Sequence, residues 1–182
     1  GMGGVGKTTL ARKIYNDERI RVNYPIQIWL YISKNYSETK LLGELIRCAA
    51  NKSEGREAKL ESFEGQSRSE LEPKLASLLT KNLFVVLDDV WSKNLWNDFL
   101  RKPLRKAVGS STILVTTRNE TVLKGMRASY THSVEKMDDN SGWMLLRNLV
   151  FGDGEEDDER RLEEVGMEIV RKCDGLPLAA KT

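Results

Sequence analysis

Histidine and cysteine are scarce in this 182-residue chain. The single histidine, His132, excludes a multi-histidine metal site. The two cysteines, Cys48 and Cys173, lie far apart with no C-x-x-C spacing. Neither a disulfide framework nor a structural zinc site is expected, and a reducing compartment fits this usage. No apolar run approaches the roughly 18–20 residues that a membrane-spanning helix needs, and no signal-peptide pattern opens the chain. Charge of one sign is not in excess either: 29 Lys and Arg against 27 Asp and Glu leave a formal net charge of +2. That balance asks for neither a nucleic acid nor an anionic membrane as an obligatory partner. Internal repeats and low-complexity segments are missing. What is there, 40 % apolar and 31 % charged residues, predicts a soluble, intracellular, globular chain of one to two domains with a sizeable core.

Apolar periodicity alternates along the first three quarters of the chain. Thr8 to Asp17 predicts a helix with Leu10, Ile14 and Tyr15 on one side. Ile26 to Ile32 predicts a buried strand, and Thr39 to Ala50 a helix with Leu41, Leu42, Leu45 and Ile46 on its apolar face. Residues 51–68 are polar and predict a surface loop. Ser69 and Glu72 make a capping-box pair ahead of a helix carrying Leu71, Leu75, Leu78 and Leu79. Leu83 to Leu87 is a continuous apolar run, as expected of a strand covered on both faces. Leu95 to Val108 predicts a helix interrupted at Pro103, Thr112 to Thr116 a strand, and Tyr130 to Val134 a short one. From Ser141 only helical patterns remain, broken by the acidic stretch Asp153 to Glu159. Such alternation implies an α/β fold, a parallel sheet with helices on both faces. Residues 1–135 are expected to form this domain, and residues 136–182 part of a small helical one.

Gly1-Met-Gly-Gly-Val-Gly-Lys-Thr8 satisfies G-x-x-x-x-G-K-[ST], the phosphate-binding loop. Glycines let backbone N–H groups converge on phosphate oxygens, and the following helix adds its positive dipole end. Gly1, Gly3, Gly4, Val5, Gly6, Lys7, Thr8 and Thr9 are the candidate binding residues, with Lys7 neutralising the β- and γ-phosphates and Thr8 ligating Mg²⁺. The bland alternative is a glycine turn before a helix. The chain opens inside this motif without an initiator methionine, so it reads as an excerpt whose first sheet strand lies upstream. A second motif, Leu83-Phe-Val-Val-Leu-Asp-Asp-Val-Trp91, ends a buried strand in carboxylates at the sheet edge where phosphate loops sit. Asp88 fits the role of holding Mg²⁺, and Asp89 that of orienting or deprotonating an attacking water. Read alone, the pair could be a strand followed by an Asp-rich helix cap, but beside the first motif at this separation the functional reading prevails. Thr112 to Arg118 (TILVTTR) brings a guanidinium to the same edge, where Arg118 could sense a γ-phosphate or stand simply as a solvated surface arginine.

Together GMGGVGKTT, LDDVW, TILVTTRNE and GLPLA resemble, in order and spacing, the nucleotide-binding (NB-ARC) region of plant NBS-LRR disease-resistance proteins, a branch of the AAA+-like ATPases. The likeness covers essentially the whole chain, and Trp91 after the Asp pair looks like the coiled-coil subclass. The resemblance implies a P-loop NTPase-like fold and a plant-defence switch, ADP-bound at rest and ATP-bound when active, reset by slow Mg²⁺-dependent hydrolysis. It implies Pro177 packing near the adenine, intramolecular coiled-coil and leucine-rich-repeat partners, and an oligomer on activation. It also implies a cytoplasmic location, with the plasma-membrane periphery as the alternative for the parent protein. Leu146, Gly142 and Ala180 depart from the family's usual aromatic, serine and leucine. The rival readings are a turnover ATPase doing mechanical work and an interaction module that has lost nucleotide. A GTPase is disfavoured, since nothing after Asp88 supplies guanine selectivity.

Other features have plainer readings. Arg101, Lys102, Arg105 and Lys106 read as a solvated helix face rather than a nucleic-acid patch. Asp153 to Asp158 lacks calcium-loop spacing. Trp29, Trp96 and Trp143 read as core anchors, and the two cysteines as small buried hydrophobes.

Overall fold

The three longest β-rich runs pair in parallel, as continuous apolar strands joined by helices must. In the computed structural model, which describes residues 1–53, 63, 65–151 and 156–181, they form one sheet of order β1-β2-β3. The strands are β1 (Ile26–Tyr31), β2 (Leu83–Asp88) and β3 (Ser111–Val115). Ile28 lies opposite Val85, and Val85 opposite Ile113. The α/β class is therefore as expected. Tyr130 to Val134 forms no strand: Tyr130, Thr131, His132 and Ser133 are exposed, with no apolar face to bury.

The described residues divide into two compact units, Thr8–Thr131 and Gly1–Lys7 with His132–Thr182. In the first, the alternation of a strand sorts its side chains onto two faces. Ile26, Ile28, Leu30, Leu83, Val85 and Leu87 join the larger core, under α3 (Glu38–Ser53), α4 (Arg68–Leu78) and α6 (Glu120–Met126). Phe84 and Val86 face the other way, onto α1 (Lys7–Tyr15) and α2 (Glu18–Asn23) through Ala11, Ile14, Tyr15 and Ile20. Each large aliphatic side chain fully withdrawn from water contributes about 1.5–3 kcal/mol, so β2, buried at all six positions, is the mechanical centre of this unit.

Helix boundaries shift for identifiable reasons. The first helix ends at Tyr15 because Asp17 caps a separate helix, α2, its side chain accepting from the Arg19 N–H. Residues 51–53, expected to be loop, continue α3 to Ser53; much of the remaining loop expectation lies outside the described residues. The capping box sits two residues earlier than predicted. Ser67 N–H donates to Glu70 Oε2 at 2.7 Å, whereas Glu72 is engaged by Arg68 at 2.6 Å. Leu95–Leu100 winds as a π-helical turn that passes into α5 (Arg101–Leu104), so the irregularity precedes Pro103. Arg101, Lys102, Arg105 and Lys106 are all exposed, as a solvated face requires.

In the second unit, α7 (Asp139–Val150) packs on α8 (Glu156–Lys172). α8 runs into the acidic stretch expected to break the helix, while residues 153–155 lie outside the described ones. Asp138 caps α7 by accepting from the Ser141 N–H at 2.8 Å. A 3₁₀ turn, Ala179–Lys181, follows the GLPL segment. Both cysteines are half-buried rather than fully buried.

Candidate functional site

Side-chain alternation along β2 sets the face on which its last residue emerges. Phe84 and Val86 point to the α1 face, so Asp88, two residues on, emerges on that face at the strand's C-terminal end. Thr8, in the first turn of α1, donates its hydroxyl to Asp88 Oδ1 at 2.9 Å. Thr116, immediately after β3, donates to the same oxygen at 2.6 Å. Asp88 is 4 % exposed. A carboxylate taken that far from water is costly unless paired or hydrogen-bonded, and two hydroxyl donors of this kind offset the cost.

The next residue has a different environment. Asp89 adopts φ 59°, the left-handed region that aspartate tolerates better than most side chains. Its N–H donates to Thr116 Oγ1 at 2.9 Å, so one threonine hydroxyl ties both acids. Asp89 Oδ1 then stands 3.5 Å from Arg118 Nε. Arg118 also lies over Trp91, its guanidinium carbon 5.6 Å from the ring centroid, and Lys34 Nζ lies 4.2 Å from the same centroid. The turn that presents Arg118 is anchored on both sides: Thr117 donates to the Val90 carbonyl at 2.6 Å and accepts from the Asn119 N–H at 3.1 Å. Asn119 in turn caps α6.

In the other unit the glycine loop shows the backbone its sequence demands. Gly4 and Gly6 have φ of 78° and 103°, values that other residues reach only with strain. Val5 between them is buried. Lys7 Nζ donates to the carbonyls of Gly1, at 3.1 Å, and Met2. The GLPL segment lies on this loop. Leu178 N–H donates to the Gly4 carbonyl at 3.3 Å, and a Cβ added at Gly4 would stand 3.1 Å from Leu178 Cβ. Pro177 is the residue before that contact, half-buried in the turn. Thr9 is exposed on α1.

Among the predicted residues, Thr8 is thus brought to Asp88, Asp89 to Arg118, and the segment holding Pro177 to Gly4. Three contributors escaped the sequence reading. Thr116 falls at the end of the strand expected from Thr112 to Thr116, although the doubled threonine after TILV signals a hydroxyl at the strand end. Trp91 stands in the sequence only as a mark of subclass, and Leu178 only as part of GLPL. The donor set near Asp88 is hard oxygen, a hydroxyl and one carboxylate, which fits a magnesium ion held jointly with phosphates. Among the described residues no group of three or more His, Cys, Asp or Glu could hold a metal by itself. A cavity of about 430 Å³, lined by Thr39, Lys40, Gly43, Glu44, Arg47, Phe63 and Gly65, includes none of the predicted site residues. Among the described residues no helix is long and apolar enough to cross a membrane.

In sequence the chain is similar to known proteins. The NB-ARC domain profile matches residues 1–156. The chain is 36 % identical over its whole length to Disease resistance RPP13-like protein 4 of Arabidopsis thaliana, of which it covers 20 %. It is 36 % identical over its whole length to Putative disease resistance protein RGA1 of Solanum bulbocastanum, covering 18 % of that protein. Disease resistance protein RPP13 of Arabidopsis thaliana is 34 % identical over 98 % of this chain, which covers 21 % of it. The chain therefore spans about a fifth of the length of these relatives.

Proposed function

The chain belongs to the NB-ARC family, the nucleotide-binding domain of plant disease-resistance proteins, and from that premise we propose that it is an ADP/ATP switch. ADP is held at rest and ATP in the active state, with slow hydrolysis resetting the two. The observation that carries this reading is the buried Asp88 carboxylate held by Thr8, the residue that follows Lys7 in the glycine-loop motif. A chance glycine turn has no reason to set its threonine against a strand-end carboxylate.

In this reading Gly1, Gly3, Gly4, Val5, Gly6, Lys7, Thr8 and Thr9 hold the phosphates, their N–H groups and the α1 dipole facing negative charge. Thr8 and Asp88 hold magnesium, which when bound neutralises charge on the β- and γ-phosphates. Asp89 orients the water that attacks, and Arg118 distinguishes ATP from ADP. Pro177 lies near the adenine. Residues 1–135 are the nucleotide-binding domain and residues 136–182 belong to a helical subdomain. Coiled-coil and leucine-rich-repeat segments of a longer protein read the state out in the cytoplasm, through an oligomer on activation. A ligand moves such a switch only by its differential affinity for the two states.

Calorimetric titration of the chain with ADP tests this. Lys7→Ala is expected to weaken binding at least about tenfold, the loss of one charged hydrogen bond to phosphate. Equal affinity in the variant and the parent chain would overturn the reading. Steady-state ATP turnover is expected to fall below about 1 s⁻¹, the lower end of ordinary enzymes.

A further inference from the structure

Trp91 has no place in either hydrophobic cluster of the sheet unit, and 38 % of it is exposed. Core packing therefore does not account for an indole at this position. What it touches does. Lys34 follows β1, Trp91 follows β2 and Arg118 follows β3, so the ring gathers cations from the ends of both flanking strands. A ring face attracts cations through its quadrupole, and tryptophan does so best. Asp89 adds its carboxylate to Arg118 at 3.5 Å, its side chain 19 % exposed against 54 % for the arginine. Lys34 is the nearer cation, and Arg118, more than half exposed, lies at the outer range of the ring's attraction.

We propose that Trp91 is a positioning residue for Arg118: its ring, together with Asp89, parks the guanidinium at the strand ends, and a γ-phosphate must draw the arginine from that park. Trp91 thereby sets how strongly ATP is preferred over ADP. The inference rests on the switch reading above and deepens it. Removing the ring lowers the cost of recruiting Arg118, which only ATP incurs, so ATP affinity rises while ADP affinity stays.

Competition titrations with ATP and ADP test this on the whole chain. Trp91→Leu is expected to raise the ATP-to-ADP affinity ratio about two- to fivefold, the worth of one partly exposed cation–ring contact. Trp91→Phe, which keeps a smaller ring, is expected between Leu and the parent. In an Arg118→Ala background the same Trp91→Leu change is expected to leave the ratio where it was, because the coupling partner has gone. An unmoved or lowered ratio in Trp91→Leu overturns the proposal. So does a parallel loss of both affinities, the mark of a merely structural ring, or an equal shift in the Arg118→Ala background. Failure of the parent chain to bind either nucleotide would sink the switch reading, and the inference with it; binding with an unchanged ratio sinks the inference alone.

Discussion

The sheet unit is held by side chains that fill space, the helical unit by side chains that are missing. In Thr8–Thr131, β2 is buried at every position and large residues such as Leu42, Leu71, Leu75 and Phe99 close the core around it. In the helical unit, α7 and α8 meet where there is no Cβ. A Cβ at Gly142 would stand 2.5 Å from Val170 Cγ1, and one at Gly166 would stand 2.0 Å from Trp143 Cζ3. Several of this unit's apolar residues, including Met144, Leu162, Val165 and Ile169, stay exposed. The contrast teaches that the strand-end carboxylates are built on a scaffold that tolerates little loss of volume. The helical unit instead tolerates little gain.

Truncation in the sheet unit breaks this contrast most severely. Leu87→Ala empties a fully buried site next to Asp88 and is expected to cost about 2–5 kcal/mol in chemical denaturation. Val165→Ala, on the exposed face of α8, is expected within about 0.5 kcal/mol of the parent. Comparable losses at both sites would mean that the helical unit is also held by filled volume.

The opposite change acts on the other unit. In an exposed helix interior Gly→Ala is favourable by roughly 0.8–1.0 kcal/mol, since alanine restricts the unfolded chain and favours the helix. At Gly166 the Trp143 ring must move, and overpacking of this kind costs about 1–3 kcal/mol. Gly166→Ala is therefore expected to lower the melting temperature despite its better helix propensity, a shift read by thermal melting followed through helical circular dichroism. A rise would show that α7 and α8 separate freely. Gly142, where the resemblance leads one to expect serine, meets Val170 in the same way, which gives that departure a packing consequence.

How much of this the sequence disclosed depends on the period involved. Alternation along Leu83–Asp88 is strict enough to place Asp88 on the α1 face, and the glycine-loop spacing puts Thr8 where it can meet it. Short polar elements were opaque. α2 has six residues, none of them buried, and forms because Asp17 caps it. Two overlapping Ser-x-x-Glu pairs, Ser67–Glu70 and Ser69–Glu72, fit one capping rule, and the choice falls to the first because Arg68 takes Glu72. Thr116 escaped because a hydroxyl shared between Asp88 and the Asp89 N–H depends on strand register, which no local pattern encodes. The same holds for Trp91, whose cations arrive from segments more than twenty residues away on either side.

The smallest expected effect separates the two units by how each caps a helix. In the sheet unit, hydrogen bonds from the Arg19 side chain, then from its backbone N–H, lower the Asp17 carboxyl to a pKa of about 2. In the helical unit, the Ser141 backbone N–H and then its hydroxyl lower Asp138 below the usual carboxylate value. Both carboxyls are depressed in the folded state, so each stabilises the fold above its unfolded pKa of roughly 3.9. That contribution is lost as the pH falls through the folded value, for Asp17 between about 4 and 2. The partners differ in kind: a guanidinium whose side chain is 88 % exposed against a fixed peptide N–H and a neutral hydroxyl. At 1 M salt the Debye length falls to about 3 Å, which weakens attraction to the mobile charge and leaves the neutral donors nearly untouched. Carboxyl NMR titration at low and high salt is expected to move Asp17 upward toward its unfolded value and Asp138 much less. Equal movement would mean that Asp138 also owes its acidity to net charge, and that the two caps, unlike the two cores, are built alike.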